Sequence, residues 1–196
     1  MIGRLAAGLL LVVTAVGCSS LPIPSATASP TAALPGHYSD GTLSFDYPSA
    51  WQTGKFWYVS SFSSPIVFLS PQPLREPCTS SASSVACRNA IDRLVPSSVL
   101  VSWWFWGFPG FDFTKRPGDL TQVDGRVARL DNAPDMATCT SMGGEGALTL
   151  IVQDPSIDED WIELDACWRG PDSDGTRSQI DALIASVRWA SPEVSP

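Results

Sequence analysis

The feature that most restricts the fold is a period of two. From Gly41 onwards short runs alternate apolar and polar residues between turn residues, which is the pattern of antiparallel strands with one face buried. Leu43, Phe45 and Tyr47 alternate with Ser44 and Asp46 until Pro48 ends the run. Phe56 to Phe62 and Ile66 to Leu69 are aromatic or β-branched runs around Ser63-Ser64-Pro65, and this predicts a hairpin. Val99 to Trp106 is apolar on both faces apart from Ser102, as expected of a strand covered on both sides. Gly125 to Leu130 follows an Asp-Gly turn, and Leu148, Leu150 and Val152 share one face of the next run. In the run after that, Ile162, Leu164, Ala166 and Trp168 point inward while Glu163 and Asp165 point outward.

The period changes only near the end. Thr176 and Gln179 have capping-box spacing, and Ile180, Leu183, Ile184 and Val187 then recur as one apolar helix stripe. Arg88 to Leu94 is the candidate for a second helix. Together these elements predict an α+β fold, an antiparallel sheet flanked by helices.

The chain has 196 residues, 44% hydrophobic and 16% charged, which suits one compact domain rather than a disordered chain or two large domains. Part of the apolar content lies in residues 1–17. Arg4 followed by the apolar run Leu5 to Val16 has the form of an export signal and falls short of the ~20 residues needed to span a bilayer. The run ends in Ala15-Val16-Gly17-Cys18, which resembles a bacterial lipobox, with Ala15 at the position where leucine is usual. On that reading Cys18 takes a lipid and becomes the mature N-terminus, anchoring the protein at the extracytoplasmic face of the cell membrane. The alternative is an ordinary secretory signal with Cys18 near its cleavage site. Ser, Pro, Ala and Thr dominate the stretch to Gly36, a tether composition. The expected organisation is a signal at 1–17, the lipidated cysteine and tether at 18–37, one domain at 38–190 and a tail at 191–196. A formal charge of −8 with no basic stripe excludes a nucleic-acid partner.

Four further cysteines, Cys78, Cys87, Cys139 and Cys167, are an even number in an exported chain, so disulfides are expected. Cys78 and Cys87 bracket a loop with nothing to bury, and Cys139 precedes one strand while Cys167 closes the next. The spacing therefore favours pairing Cys78 with Cys87 and Cys139 with Cys167 over the other two arrangements. Zinc is the competing use of cysteines, but neither short C-x₂₋₄-C spacing nor histidine partners are present.

No catalytic motif stands out. The single histidine, His37, falls at the end of the tether, away from any nucleophile it could serve as base, and no G-x-S-x-G elbow occurs. The acids Asp154, Asp158, Glu159, Asp160, Glu163 and Asp165, with Asp172 and Asp174 beyond, read as a solvated loop and the polar face of a strand, with weak surface calcium binding as the alternative. As an EF-hand the segment fails, because Glu159 stands where glycine is required and Asp165 where glutamate is. Gly143-Gly144-Glu145-Gly146 lacks the Lys and Ser/Thr of a phosphate loop and reads as a turn or bulge. The most unusual feature is the aromatic run from Trp103 to Phe113. Trp104 and Trp106 share one strand face, Trp103 and Phe105 the other, and Phe108, Phe111 and Phe113 follow in a loop. Trp104, Trp106, Phe108, Phe111 and Phe113 form a candidate ligand surface unless they pack the core.

Two segments suggest a family. Thr42-Leu43-Ser44-Phe45-Asp46-Tyr47-Pro48 with Trp51 resembles the F-x-Y-P-x-x-W opening of PsbP-like domains, and Ile180 to Trp189 resembles their closing helix and short strand. Leu94-Val95-Pro96 into Val99-Leu100-Val101, and Ala166-Cys167-Trp168-Arg169-Gly170-Pro171, are similar to segments of uncharacterised actinobacterial lipoproteins. The resemblance implies an α/β/α sandwich around an antiparallel sheet. It also implies a non-catalytic binding or accessory module of the cell envelope, with no cofactor, whose partner is an envelope protein or a small ligand. The alternative function is small-ligand or glycan binding through residues 104–113.

Overall fold

In a computed structural model, residues 36–58, 60–80, 84–134, 136–154, 160–170 and 173–190 are described. The proposed signal, Cys18 and most of the tether lie outside them. The strands in chain order are β1 (Gly36–Ser39), β2 (Leu43–Tyr47), β3 (Gln52–Gly54), β4 (Ser63–Ser70), β5 (Cys78–Ser80) and β6 (Val85–Cys87), and the run Phe56 to Phe62 forms none among its described residues. β7 (Ser98–Gly107), β8 (Asp119–Val123) and β9 (Arg126–Asp131) follow, then the short helix α1 (Ala137–Ser141), β10 (Gly146–Gln153), β11 (Asp160–Arg169), helix α2 (Ser173–Ser186) and β12 (Arg188–Trp189).

The main sheet has seven strands in the order β3-β4-β7-β11-β10-β9-β8, each antiparallel to its neighbours. β1, β2 and β12 make a three-stranded sheet, and β5 and β6 a separate hairpin. One face of the main sheet is the core. Val67 and Leu69 of β4, Val99, Val101 and Trp103 of β7, Leu148, Leu150 and Val152 of β10, and Ile162, Leu164 and Ala166 of β11 pack there against Leu43 and Phe45 of β2 and Ile180, Leu183 and Val187 of α2. Burial of each such side chain contributes about 1.5–3 kcal/mol. The Ser186 hydroxyl accepts from the Asp46 amide at 2.8 Å and so pins the end of α2 to β2.

Several expectations are corrected. The fold is mostly β, with two α-helices among the described residues, and it is not an α/β/α sandwich: α2 lies on the core face of the main sheet, while the only helix against the other face is the five-residue α1, beside irregular segments. Arg88 to Leu94 does not form the second helix. Its backbone is bonded to distant segments instead: the Arg88 amide donates to Pro77, the Ala90 carbonyl accepts from Arg75, and the Leu94 amide donates to Met142. Ala90, Ile91 and Leu94 are all buried, so anchoring on both sides of the segment outweighs an i to i+4 ladder. α2 begins at Ser173, and Thr176, read as its cap, is a buried residue inside it. Ser63-Ser64-Pro65 is not a hairpin turn but the start of β4, and the register shifts between Pro65 and Val67, so the proline occupies a bulge. His37 belongs to β1, where its Nδ1 lies 2.8 Å from Asp46 Oδ1, and the folded body therefore begins before residue 38.

The turn after β8 behaves as its sequence requires. Asp124 and Gly125 have φ of 47° and 81° and join Val123 to its partner Arg126, a two-residue loop of the kind that matches strand twist.

Candidate functional site

The second face of the main sheet carries the chemistry. β7 pairs with β11 so that Trp106 opposes Trp161, Trp104 opposes Glu163 and Ser102 opposes Asp165. β10 sets Ile151 beside Glu163 and Thr149 beside Asp165, and β9 adds Asp131 next to Thr149. The alternation that sends Ile162, Leu164 and Ala166 into the core thus brings Trp161, Glu163, Asp165 and Cys167 together on the opposite face.

Much of that face is covered. The stretch containing Ala90, Ile91 and Leu94 covers Phe68, Leu100 and Cys167, and Cys139 and Met142 of the α1 region close the same cluster. Cys139 is bonded to Cys167 and Cys78 to Cys87, the pairing the spacing favours. The first of these bonds ties α1 to β11. At the other end Phe111 lies flat on Trp161, with centroids 3.7 Å apart, and Trp161 is parallel to Trp106 at 5.7 Å. Asp112 caps the 3₁₀ turn Phe113–Lys115 by accepting from the Thr114 amide, and these contacts hold its carboxyl down at about 2, chiefly through Thr114 and then Lys115.

Between these covers runs a groove made of three adjoining hollows. One of about 220 Å³ is bordered by Trp104, Trp106, Met136 and Asp165. A second of about 500 Å³ lies among Trp106, Phe108, Phe111, Arg116, Trp161 and Glu163. A third of about 520 Å³ is bounded by Arg116, Asp131, Thr149, Glu163 and Asp165. Trp106, Glu163 and Asp165 each border two of the three, so they form the centre of the groove.

Glu163 and Asp165 are in hydrogen-bond contact there. The Glu163 side chain is only 11% exposed; its Oε2 accepts from the Trp161 indole at 3.0 Å and has the Arg116 guanidinium 4.0 Å away. Asp165 accepts from the Thr149 hydroxyl at 2.8 Å. Burial pushes the Asp165 carboxyl up to about 7, and the neighbouring Glu163 charge adds to the rise. Burial also raises Glu163, against the pull of the Trp161 indole and then of Arg116. The pair therefore holds a proton on Asp165 through the mildly acidic range. Chemically it can accept hydrogen bonds or receive positive charge in a partly shielded, ring-lined space.

Among the described residues, four buried side-chain polar atoms have no hydrogen-bond partner, and Trp106 Nε1 and Arg116 Nε are two of them. No group of three or more His, Cys, Asp or Glu side chains among the described residues could hold a metal ion. Asp158, Glu159 and Asp172 lie outside those residues.

The aromatic candidates separate. Trp104 and Trp106 line the groove, Phe111 covers Trp161, and Phe108 is 49% exposed against Phe62. Phe113 is a correction: it is buried with Ile151 and Trp161 beneath the Arg129 guanidinium. The solvated reading of Glu163 and Asp165 is a second correction, since Glu163 is buried and Asp165 half-buried beneath the covers described. A signal for them did exist. Trp161 and Cys167 share their strand face, and two residues of that type on a polar face indicate that something packs over it.

Compared with known proteins, the chain matches no family model, no curated protein and no solved structure.

Proposed function

We propose that this protein is an exported binding module that the lipidated Cys18 holds at the extracytoplasmic face of the membrane, and that its groove takes a small ligand. The observation that carries the reading is the convergence of three indoles and a shielded carboxyl pair in one groove. A surface built only for stability would replace that pair with apolar residues, because buried carboxyls cost more than they return unless fully paired. The two unpartnered donors at the same place belong to the same pattern, in which local rules of stability give way at a functional site. Two disulfides suit an oxidising compartment outside the cytoplasm. We assign the module no catalytic role; Trp104, Trp106 and Phe111 supply its aromatic walls, on which flat or ring-shaped ligands stack.

The test is to extract the full-length protein from its native membrane and identify the small molecules released on denaturation by mass spectrometry. A defined compound carried by the wild type and lost from Trp106→Leu at an unchanged melting temperature supports the reading. A protein that carries nothing, and whose tryptophan fluorescence does not respond to a small-molecule extract of the envelope, overturns it.

A further inference from the structure

We propose that the groove is selective for an organic cation, an ammonium group on an apolar or aromatic body, which seats its charge against Glu163 and Asp165 and its body on the indoles. This deepens the binding reading above and rests on it.

Three observations support the assignment. The first is charge balance. Two carboxyls touch, and the nearest cation, Arg116, stands 4.0 Å from Glu163 while its guanidinium also lies over the rings of Phe111 and Trp161. Once the proton on Asp165 is lost, one positive group shared in this way leaves the two carboxylates short of countercharge, and an incoming ammonium would complete it at charge-assisted hydrogen-bond distance. The second is the floor. Trp104 and Trp106, both half-buried with centroids 6.2 Å apart, present their rings to the groove, Trp161 backs Trp106 at 5.7 Å beneath Phe111, and indole faces are the strongest side-chain partners for a cation. The third is access. The orphaned Trp106 Nε1 and Arg116 Nε are sealed from solvent, whereas Glu163 retains exposed side-chain surface and both carboxyls border the hollows. A ligand therefore meets acceptors and ring faces first.

The charged or titratable groups facing the pair are few. Arg116 and Asp131 border the hollow that holds both acids, and Arg88 and Tyr58 border the one that ends at Asp165. Lys115 near Glu163 is held by Asp112 at 2.9 Å. His37 lies in β1, in the other sheet, so no histidine among the described residues supplies a response near neutrality at this site. A bound ammonium replaces the Asp165 proton, so affinity rises with pH up to about 7 and then levels off.

The experiment titrates benzylamine and, in parallel, benzyl alcohol, its neutral counterpart of matching shape, into the full-length protein in detergent at pH 8, following tryptophan fluorescence. The expected result is benzylamine affinity at least about tenfold above benzyl alcohol, a preference that fades toward pH 5 and is lost in Glu163→Gln and Asp165→Asn proteins that unfold cooperatively and no less stably than the wild type. Equal binding of the two compounds overturns the cation preference and leaves the groove as a ligand site. Failure of benzylamine to bind overturns the cation preference too, whereas the binding reading stands or falls on the compounds carried from the membrane. The wild-type comparison keeps the test decisive even if a variant misfolds.

Discussion

Asp165 shows how far a side chain's environment can depart from what its type suggests. As one of two acids alternating with Ile162 and Leu164 it reads as a solvated strand residue, yet its carboxyl is shielded and retains a proton to about pH 7. This has a signed consequence for stability. A carboxyl whose pKa is raised by folding binds its proton in the folded chain and gives it up in the unfolded one, so its contribution is full below about pH 4 and is lost as pH climbs through 7. Asp165→Asn keeps the hydrogen bond from Thr149 and removes the half-buried acid. In urea titrations the variant should match the wild type at pH 4 and exceed its stability by about 1–3 kcal/mol at pH 8. Equal differences at both pH values would show that Asp165 is not held protonated in the fold. That Glu163 and Asp165 point away from Leu164 was legible from spacing alone. That they meet Trp104, Thr149 and Arg116 was not, since those contacts come from three other segments of the chain.

Among the elements, α1 and β11 illustrate what a covalent tie does for a short structure. A helix of five residues has no independent stability, and α1 is held by the Cys139–Cys167 bond and by burial of Cys139 and Met142. Gly144 passes so close to both sulfur atoms that a Cβ there would collide with them, so the turn between α1 and β10 admits only glycine. The bond spans 28 residues, against 9 for Cys78–Cys87. On chain entropy, replacing Cys139 and Cys167 by serine should cost about 3–4 kcal/mol, and replacing Cys78 and Cys87 about 2–3 kcal/mol, as read by denaturant unfolding. The first replacement should also weaken ligand binding, because Met136 and Thr138 at the start of α1 wall the groove. A loss of affinity on removing the Cys78–Cys87 bond alone would contradict this division. β2, β10, β11 and the closing helix were readable because their periodicity is local. Arg88 to Leu94 was misread because its backbone partners, Pro77, Arg75 and Met142, lie elsewhere in the chain.

At the scale of the whole molecule, attachment and recognition belong to different parts of the chain. If Cys18 is the lipid site, Cys18→Ala should move the protein from the membrane fraction to the soluble one while the melting temperature of the folded domain stays unchanged; retention in the membrane would refute the anchor. The sequence by itself determined the antiparallel strands, the disulfide pairing its spacing favours and the apolar stripe of the closing helix, because each depends on residues close together in the chain or on a parity of two. Only the tertiary structure decided which face of the main sheet α2 covers, that loops and the five-residue α1 cover the other, and that an acid pair sits beneath them among three indoles. The physical reason is that strand alternation assigns a side chain to a face, whereas burial of that face depends on segments far away in sequence, and it is burial that turns two ordinary carboxyls into a site.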